Sequence, residues 1–183
     1  MNPDLKKILY TKEEIAERVT LLAKRIEKDY AGKDVVCIGI LKGAFIFMSD
    51  LVRQIDLPMT LDFMVVSSYG AGTESTGALI VKKDVDSKVI NGKHVIIIED
   101  IVDSGRTLHY LKKYLEGRGA ITMAVCTLLN KKERRVVDLT PEYCAFEDTP
   151  DEFVVGYGLD YAEKYRELPD IGVLRPQIYA KTK

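Results

Sequence analysis

Apolar residues along the chain change repeatedly between a helical and a strand spacing. Residues 11–29 (TKEEIAERVTLLAKRIEKD) have helical spacing, with apolar positions Ile15, Val19, Leu22 and Ile26. Thr11 stands before the first turn, and Glu14 follows three residues later, which is the pattern of a capping box. The spacing therefore predicts a helix over 11–29 that begins at Thr11.

Three short apolar runs are typical of buried strands: 34–41 (DVVCIGIL), 94–100 (HVIIIED) and 120–129 (AITMAVCTLL). Residues 60–69 alternate as a strand does, and 78–85 are predicted as its return strand. Residues 44–55 and 105–119 are predicted as helices. Two further short strands are predicted around Tyr143 to Phe146 and Phe153 to Tyr157.

Alternating helices and strands indicate an α/β domain with a mainly parallel central sheet flanked by helices. A chain of 183 residues fits one such domain. In sheets of this kind ligands bind at the carboxyl ends of the strands. Candidate functional residues are therefore sought where the predicted strands end.

Charge and composition exclude several other classes of protein. The formal net charge of -1 argues against a broad basic surface for nucleic acid. The N-terminal residues contain no apolar run that fits a signal peptide, and no run approaches the length of a membrane span. Cys37, Cys126 and Cys144 match no zinc pattern, and an odd count fits a reducing compartment. We expect a cytoplasmic protein with no nucleic-acid or membrane partner.

Residues 95–108 (VIIIEDIVDSGRTL) carry the most chemistry. Small and hydroxyl residues open a helix there, and a helix N-terminus with unpaired N–H groups can hold a phosphate. Gly105 allows a close approach of the backbone, and Ser104, Arg106 and Thr107 add donors. The alternative is that Asp103 or Ser104 is only an N-cap.

Glu99 and Asp100 come directly before this turn. Successive strand residues point to opposite faces, so the two carboxylates diverge unless the strand has ended. They can bind Mg²⁺ or accept hydrogen bonds from sugar hydroxyls, or they can be exposed charges at a strand end. With Asp103, three acids precede a turn that can hold phosphate, which favours a site for metal, diol and phosphate together.

The same stretch closely resembles the motif with which purine phosphoribosyltransferases bind phosphoribosyl pyrophosphate (PRPP). Further matches narrow the resemblance to the hypoxanthine-guanine phosphoribosyltransferases. They are Leu41-Lys42-Gly43, Ser68-Tyr69, Lys131, Phe153 to Tyr157, Leu159 to Tyr161 and Arg166. Arg106 stands where relatives can carry lysine, which is a mild departure.

The resemblance implies a fold and its divisions. It implies the type I phosphoribosyltransferase fold as one domain over 1–183, with a core over about 11–140 and a small hood from about 1–10 and 141–183. It also implies a mobile loop over about 67–77 that closes during the reaction. In this family the loop at Leu41-Lys42-Gly43 carries an unusual cis peptide, and the sequence leaves open whether the Leu41–Lys42 bond is cis. Oligomers of the family are homodimers or homotetramers.

The resemblance also implies the reaction: phosphoribosyl passes from PRPP to hypoxanthine or guanine, giving IMP or GMP and pyrophosphate, with Mg²⁺. By this reading the turn from Asp103 to Thr107 (Asp103, Ser104, Gly105, Arg106, Thr107) holds the 5′-phosphate, and Glu99 and Asp100 face the ribose. Asp103 is also the general base. The pyrophosphate residues are Leu41, Lys42, Gly43, Ser68, Tyr69 and Arg166. The purine residues are Lys131, Phe153, Val154 and Asp160, and the metal residues are Glu99, Asp100 and Asp160.

Taken without the resemblance, several of these residues have ordinary interpretations. Lys42 is a solvated lysine, Lys131 opens a solvated basic cluster (KKERR), Phe153 is a core aromatic, and Asp160 is a surface acid. Two other functions stay open: a regulator of the same fold that binds nucleic acid, and an enzyme for xanthine or a pyrimidine.

Overall fold

The computed structural model describes residues 2–68 and 79–180. The strands are β1 (Leu5–Tyr10), β2 (Val35–Leu41), β3 (Met59–Ser68), β4 (Leu79–Lys83), β5 (His94–Val102), β6 (Thr122–Asn130), β7 (Tyr143–Phe146), β8 (Val154–Val155) and β9 (Ile171–Leu174). The helices are α1 (Lys12–Asp29), α2 (Phe45–Val52), α3 (Ser87–Ile90), α4 (Arg106–Leu115) and α5 (Pro176–Tyr179), with a 3₁₀ turn at Lys132–Arg134.

Helix α1 begins as its sequence predicts. The Thr11 hydroxyl accepts a hydrogen bond from the Glu14 amide at 3.3 Å, and the Glu14 carboxylate accepts one from the Thr11 amide at 2.8 Å. The two bonds form the predicted capping box. The predicted apolar stripe is buried: Ile15, Val19, Leu22 and Ile26.

A six-stranded sheet in the order β4-β3-β2-β5-β6-β7 forms the centre of the fold. All of its pairs are parallel except β3 with β4, so the prediction of a mainly parallel sheet is confirmed. One face packs on α1 and α2 through residues such as Cys37 and Ile98. The other face packs on α3 and α4 through residues such as Ile38 and Ile97. Because both faces are covered, the central strands are continuous apolar runs.

The terminal segments form a separate antiparallel sheet in the order β1-β9-β8, which is the small hood that the resemblance implies. One part of the range predicted for the hood lies elsewhere, because β7 pairs with β6 in the large sheet. The apolar residues of β7 cover the open edge of β6, with Tyr143 beside Cys126 and Phe146 beside Leu129. Strand β8 spans only two residues, fewer than predicted.

Strand β5 continues two residues beyond the predicted end, because Ile101 and Val102 still pair with Leu129 and Asn130 of β6. Helix α2 ends at Val52, before the predicted Ile55. The loop predicted over about 67–77 lies outside the described residues, except for its first two residues in β3. No helix in the described part of the chain is long and apolar enough to cross a membrane.

Candidate active site

The turn between β5 and α4 opens onto a cleft at the carboxyl edge of the sheet. Gly105 occupies the N-cap position with φ of 81°, and no side chain caps the helix. Asp103 is therefore not the N-cap, and Ser104 only accepts a 3.4 Å hydrogen bond from the Arg106 amide. A Cβ on Gly105 would lie 2.8 Å from Cδ of Arg135, so the position needs glycine for space as well as for φ.

This phosphate-side cleft has a volume of about 270 Å³. Its lining residues are Glu99, Asp100, Ile101, Val102, Asp103, Ser104, Gly105, Thr107 and Leu108. Because the N-cap Gly105 has no side chain and Ser104 makes only a long hydrogen bond to the Arg106 amide, the N-terminus of α4 remains open to an anion.

Glu99 and Asp100 lie inside β5, yet their carboxylates meet. The Asp100 amide donates to Glu99 Oε1 at 3.2 Å, and the Ile101 amide donates to Asp100 Oδ1 at 2.7 Å. Glu99 is buried, so it is not an exposed charge at a strand end. Burial, together with the neighbouring Asp100 carboxylate, raises the pKa of Glu99 well above its usual range. A buried acid pair of this kind attracts a cation.

The loop after β2 packs directly on these acids. Its Leu41–Lys42 peptide bond, whose conformation the sequence left open, is cis. A Cβ on Gly43 would lie 1.5 Å from Asp100 Oδ2, and a Cβ on Gly158 would lie 2.3 Å from the Gly43 carbonyl oxygen. Only glycine at both positions allows the loop to fit between β5 and the segment at Gly158.

Arg166 organises the segment from Gly158 to Arg166. Its guanidinium donates to the Gly158 carbonyl at 2.7 Å and contacts Asp160 Oδ1 at 2.8 Å. Asp160 also accepts a hydrogen bond from the Glu163 amide at 2.8 Å, so it is not a free surface acid. Glu163 in turn pairs with the exposed Lys42 at 2.9 Å. These contacts bring two of the predicted pyrophosphate residues, Lys42 and Arg166, and Asp160 to one place.

A second cleft adjoins the first and has a volume of about 270 Å³. Its lining residues are Asp100, Ile101, Asp103, Lys131, Arg134, Phe153, Val154, Leu159 and Asp160. We call it the purine cleft because all four predicted purine residues lie on its wall. Asp100, Ile101 and Asp103 line both clefts.

Lys131 and Phe153 differ from their ordinary interpretations. Lys131 is only 5% exposed, and its ammonium donates to the Glu152 carbonyl at 2.7 Å. Burial lowers the pKa of Lys131. Phe153 is 39% exposed, with its ring stacked on Tyr179 at 4.9 Å and against the edge of Tyr161 at 5.6 Å. The ring thus lines the cleft with support from behind it.

Arg134 is a site residue that the sequence did not single out. Its Nη1 contacts Asp103 Oδ2 at 3.0 Å, and its Nε contacts Asp151 Oδ1 at 3.2 Å. The basic cluster after β6 was interpreted as a solvated face, and the Arg134 side chain is indeed 51% exposed, but it also lines the purine cleft. Its position just beyond the carboxyl end of β6 was the available signal.

The candidate metal residues do not form one site. The described residues contain no group of three or more His, Cys, Asp or Glu side chains that could hold a metal. Glu99 and Asp100 form one pair, and Asp160 lies apart beside Arg166. Of the remaining candidates, Ser68 is the last residue of β3, and Tyr69 is outside the described residues.

Comparisons with known proteins show the family to which the chain belongs. A family model described as phosphoribosyl transferase domain matches residues 6–162. The hypoxanthine-guanine phosphoribosyltransferase of Streptococcus thermophilus is 49% identical over 181 residues, 99% of each chain. A crystal structure of a Staphylococcus aureus hypoxanthine phosphoribosyltransferase superposes with a TM-score of 0.91 at 49% identity, covering 96% of this chain and 95% of the other. A Bacillus anthracis hypoxanthine-guanine phosphoribosyltransferase gives a TM-score of 0.86 at 47% identity, covering 93% and 99%.

Proposed function

The chain belongs to the hypoxanthine-guanine phosphoribosyltransferase family of purine salvage, and we propose a role in the family's reaction for each of its site residues. The observation that carries the proposal is the place of Asp103, which lines both the phosphate-side cleft and the purine cleft. A group at that junction can reach the ribosyl centre and the incoming base together. The reaction transfers phosphoribosyl from PRPP to hypoxanthine or guanine.

The turn from Asp103 to Thr107 holds the 5′-phosphate of PRPP. Support comes from the uncapped N-terminus of α4, where amides and the dipole favour an anion. Ser104 and Thr107 supply hydroxyl donors, and Arg106 supplies positive charge.

Glu99 and Asp100 face the ribose hydroxyls. Their negative charge suits a ribosyl centre that becomes positive as its bond to pyrophosphate breaks. Burial and the neighbouring Asp100 carboxylate raise the pKa of Glu99, and carboxylate oxygens of this kind fit Mg²⁺ as ligands. Mg²⁺ there would neutralise anionic oxygens of PRPP, and Asp160 would contribute to a second position near Arg166.

The pyrophosphate group of PRPP is bound by six residues: Leu41, Lys42, Gly43, Ser68, Tyr69 and Arg166. The close packing of Gly43 on Asp100 supports this role, because the loop amides then border the ribose site. Arg166 has a buried Nε without a partner among the described residues, so it retains a donor for an anion.

Lys131, Phe153, Val154 and Asp160 bind the purine. The Lys131 ammonium has further N–H donors beyond its bond to Glu152, and one of them reaches the 6-oxo group. Phe153 provides an aromatic platform for the base. A purine with a 6-oxo group is favoured over adenine, because a buried ammonium rejects the 6-amino donor.

In the transfer, the bond from C1′ to the pyrophosphate oxygen breaks and its electron pair leaves with pyrophosphate. The purine nitrogen forms the new bond to C1′. Asp103 accepts the proton that the ring loses, which makes the ring a better nucleophile. The products are IMP or GMP and pyrophosphate.

We also propose a cytoplasmic homodimer or homotetramer. Three free cysteines fit a reducing compartment. Phe45 and Leu61 are large apolar side chains that are 44% and 46% exposed, which supports a covered surface. Light scattering on the purified chain distinguishes monomer, dimer and tetramer.

The proposed function is tested by a spectrophotometric assay with PRPP and Mg²⁺. The bases are hypoxanthine, guanine, xanthine, adenine and uracil. We expect turnover with hypoxanthine and guanine, and none with adenine or uracil. Turnover with no base would contradict the enzyme assignment, and a preference for uracil would contradict the role of Lys131.

A further inference from the structure

The residues that follow β6 reach back to the turn that carries Asp103. The Lys131 amide donates to the Val102 carbonyl at 2.9 Å, and the Val136 amide donates to the Ser104 carbonyl at 3.1 Å. Arg135 Nε donates to the Asp103 carbonyl at 3.2 Å. The main chain of Asp103 is thus fixed on both sides by one segment, residues 131–136.

The side chain of Asp103 is held by the same segment through Arg134. The guanidinium lies between two carboxylates, at 3.0 Å from Asp103 Oδ2 and 3.2 Å from Asp151 Oδ1. On an open surface, ion pairs of half-exposed side chains contribute little. Arg134 and Asp103 line the purine cleft, however, so a bound purine would cover them and strengthen the pair.

The two carboxylate oxygens of Asp103 have different surroundings. Oδ2 is occupied by Arg134, whereas Oδ1 is buried and has no hydrogen-bond partner among the described residues. Because Oδ1 is enclosed by protein atoms, the Asp103 carboxylate meets the purine cleft through its Oδ2 side, where Arg134 holds it.

We propose that Arg134 is a positioning residue for the transfer: by holding Oδ2 of Asp103, it fixes the orientation in which the Asp103 carboxylate meets the purine ring and accepts its proton. The inference rests on the proposed role of Asp103 as general base. Arg134 acts through Asp103, and Asp151 steadies Arg134 from its other side.

A double-mutant cycle tests whether Arg134 acts through Asp103. The variants are Arg134→Met, Asp103→Asn and the double variant, with Lys132→Met as a matched control. Lys132 lies in the same turn but pairs with Glu147 and Asp148, outside the purine cleft. The kcat with radiolabelled hypoxanthine and the Kd of PRPP with Mg²⁺ are measured for each variant, with thermal unfolding to compare stability.

We expect Arg134→Met to lower kcat about tenfold, the effect of one lost charge-assisted hydrogen bond, with the Kd of PRPP within about twofold. In the Asp103→Asn background the same change should lower kcat by less than about twofold. Arg134→Lys should restore part of the loss. Asp151→Asn should give a smaller loss that also disappears in the Asp103→Asn background, and Lys132→Met should behave as the unaltered enzyme.

Two results overturn the inference and are distinguishable from each other. If Arg134→Met lowers kcat equally in both backgrounds, or raises only the KM for hypoxanthine, then Arg134 acts on the purine directly and Asp103 keeps its role. If Asp103→Asn leaves kcat unchanged, the proposed function of Asp103 fails, and the inference fails with it.

Discussion

The two sides of the cleft are built in different ways. One continuous stretch, residues 99–108, supplies the phosphate side. Three separated segments supply the purine side: residues 131–134, residues 153–154 and residues 159–160. The first side depends on local backbone conformation at the end of one strand, and the second depends on tertiary contacts such as Lys131 with Glu152 and Phe153 with Tyr179.

Because the two sides are built differently, we expect them to control different steps: binding of PRPP and binding of the base. In the proposed function, the strand end, the uncapped helix and the pyrophosphate residues bind PRPP without help from Lys131 or Phe153. The purine side should then govern affinity for the base, and Asp103, which lines both clefts, should govern the chemistry. Substitutions on the two sides should therefore change different kinetic constants.

The largest effect is expected at Asp103, where the two sides meet. Asp103→Asn keeps the shape but removes the acceptor of the proton, so kcat should fall about 10³-fold. The Kd of PRPP should change by less than about threefold, because main-chain amides and hydroxyls hold the phosphate. Stopped-time assays and calorimetry measure the two constants. Asp148→Asn, at an 83% exposed side chain, is the control. A normal kcat would remove Asp103 as the base.

The second largest effect is expected at Gly43, where a substitution should weaken PRPP binding. A methyl group at Gly43 would overlap Asp100 Oδ2, so the Asp100 carboxylate must turn away from the ribose site. Gly43→Ala should weaken PRPP about 10- to 100-fold, the loss of one to two charge-assisted hydrogen bonds, with little loss of stability.

Gly32→Ala is the opposite case to Gly43→Ala. Its methyl group would meet no atom within 4 Å, but φ is 73°, so it should cost stability by about 1 kcal/mol and leave PRPP binding intact. If Gly43→Ala leaves PRPP binding unchanged, the loop after β2 does not contribute to the PRPP site.

A moderate effect confined to the base is expected at Phe153. Phe153→Ala removes the ring from the purine cleft, so the KM for hypoxanthine should rise about tenfold, as for a lost aromatic stack. The kcat should stay within about threefold. Leu21→Ala, at a 53% exposed side chain on α1, is the control. A fall in kcat with an unchanged KM would show that the ring contributes to chemistry.

The smallest effect is expected far from both sides, at Asp84. Arg118 donates to Asp84 at 2.8 and 3.0 Å and holds its pKa at about 2, below the ordinary 3.8. Since the pKa is lowered in the folded state, the stabilisation is complete above pH 4 and is lost as the pH falls through about 2.

Because the Asp84 side chain is 39% exposed, solvent screens the pair, and Asp84→Asn should cost about 0.5–1 kcal/mol at pH 7 with normal kinetics. Urea unfolding at pH 7 and at pH 2 measures this difference. If Asp84→Asn lowers kcat or raises KM, then a loss of stability far from the clefts can produce the same kinetic change as a substitution in them.

The phosphate side, which is one continuous stretch, was easier to predict from the sequence than the purine side. The apolar run predicts a strand, and the Ser-Gly turn after the acids predicts a helix N-terminus. Both are local structures, so the local sequence is enough to predict them. Even there, the Glu99 and Asp100 carboxylates interact with each other, which contradicts the expected alternation. Each carboxylate also accepts a hydrogen bond from the amide of the next residue.

The purine side was predictable only through resemblance to a family. Arg134 lies in a basic cluster whose composition is that of a solvated face, and only the tertiary fold brings it to Asp103. Tyr179, far along the chain, supports Phe153 from behind. Ala162, Glu163 and Tyr165 adopt positive φ without being glycine, which propensity does not predict. Contacts such as the Glu163 amide with Asp160 and the Tyr165 hydroxyl with Asp4 hold this turn.

The independence of the two sides is tested most directly by PRPP binding to a variant with a damaged purine side. Titration calorimetry of PRPP and Mg²⁺ is done on the Lys131→Met, Phe153→Ala double variant in the absence of base. The account predicts a Kd within about twofold of the unaltered enzyme, although the KM for hypoxanthine rises steeply. A Kd weakened by more than about tenfold would show that the purine side helps to form the PRPP site, and would contradict the account.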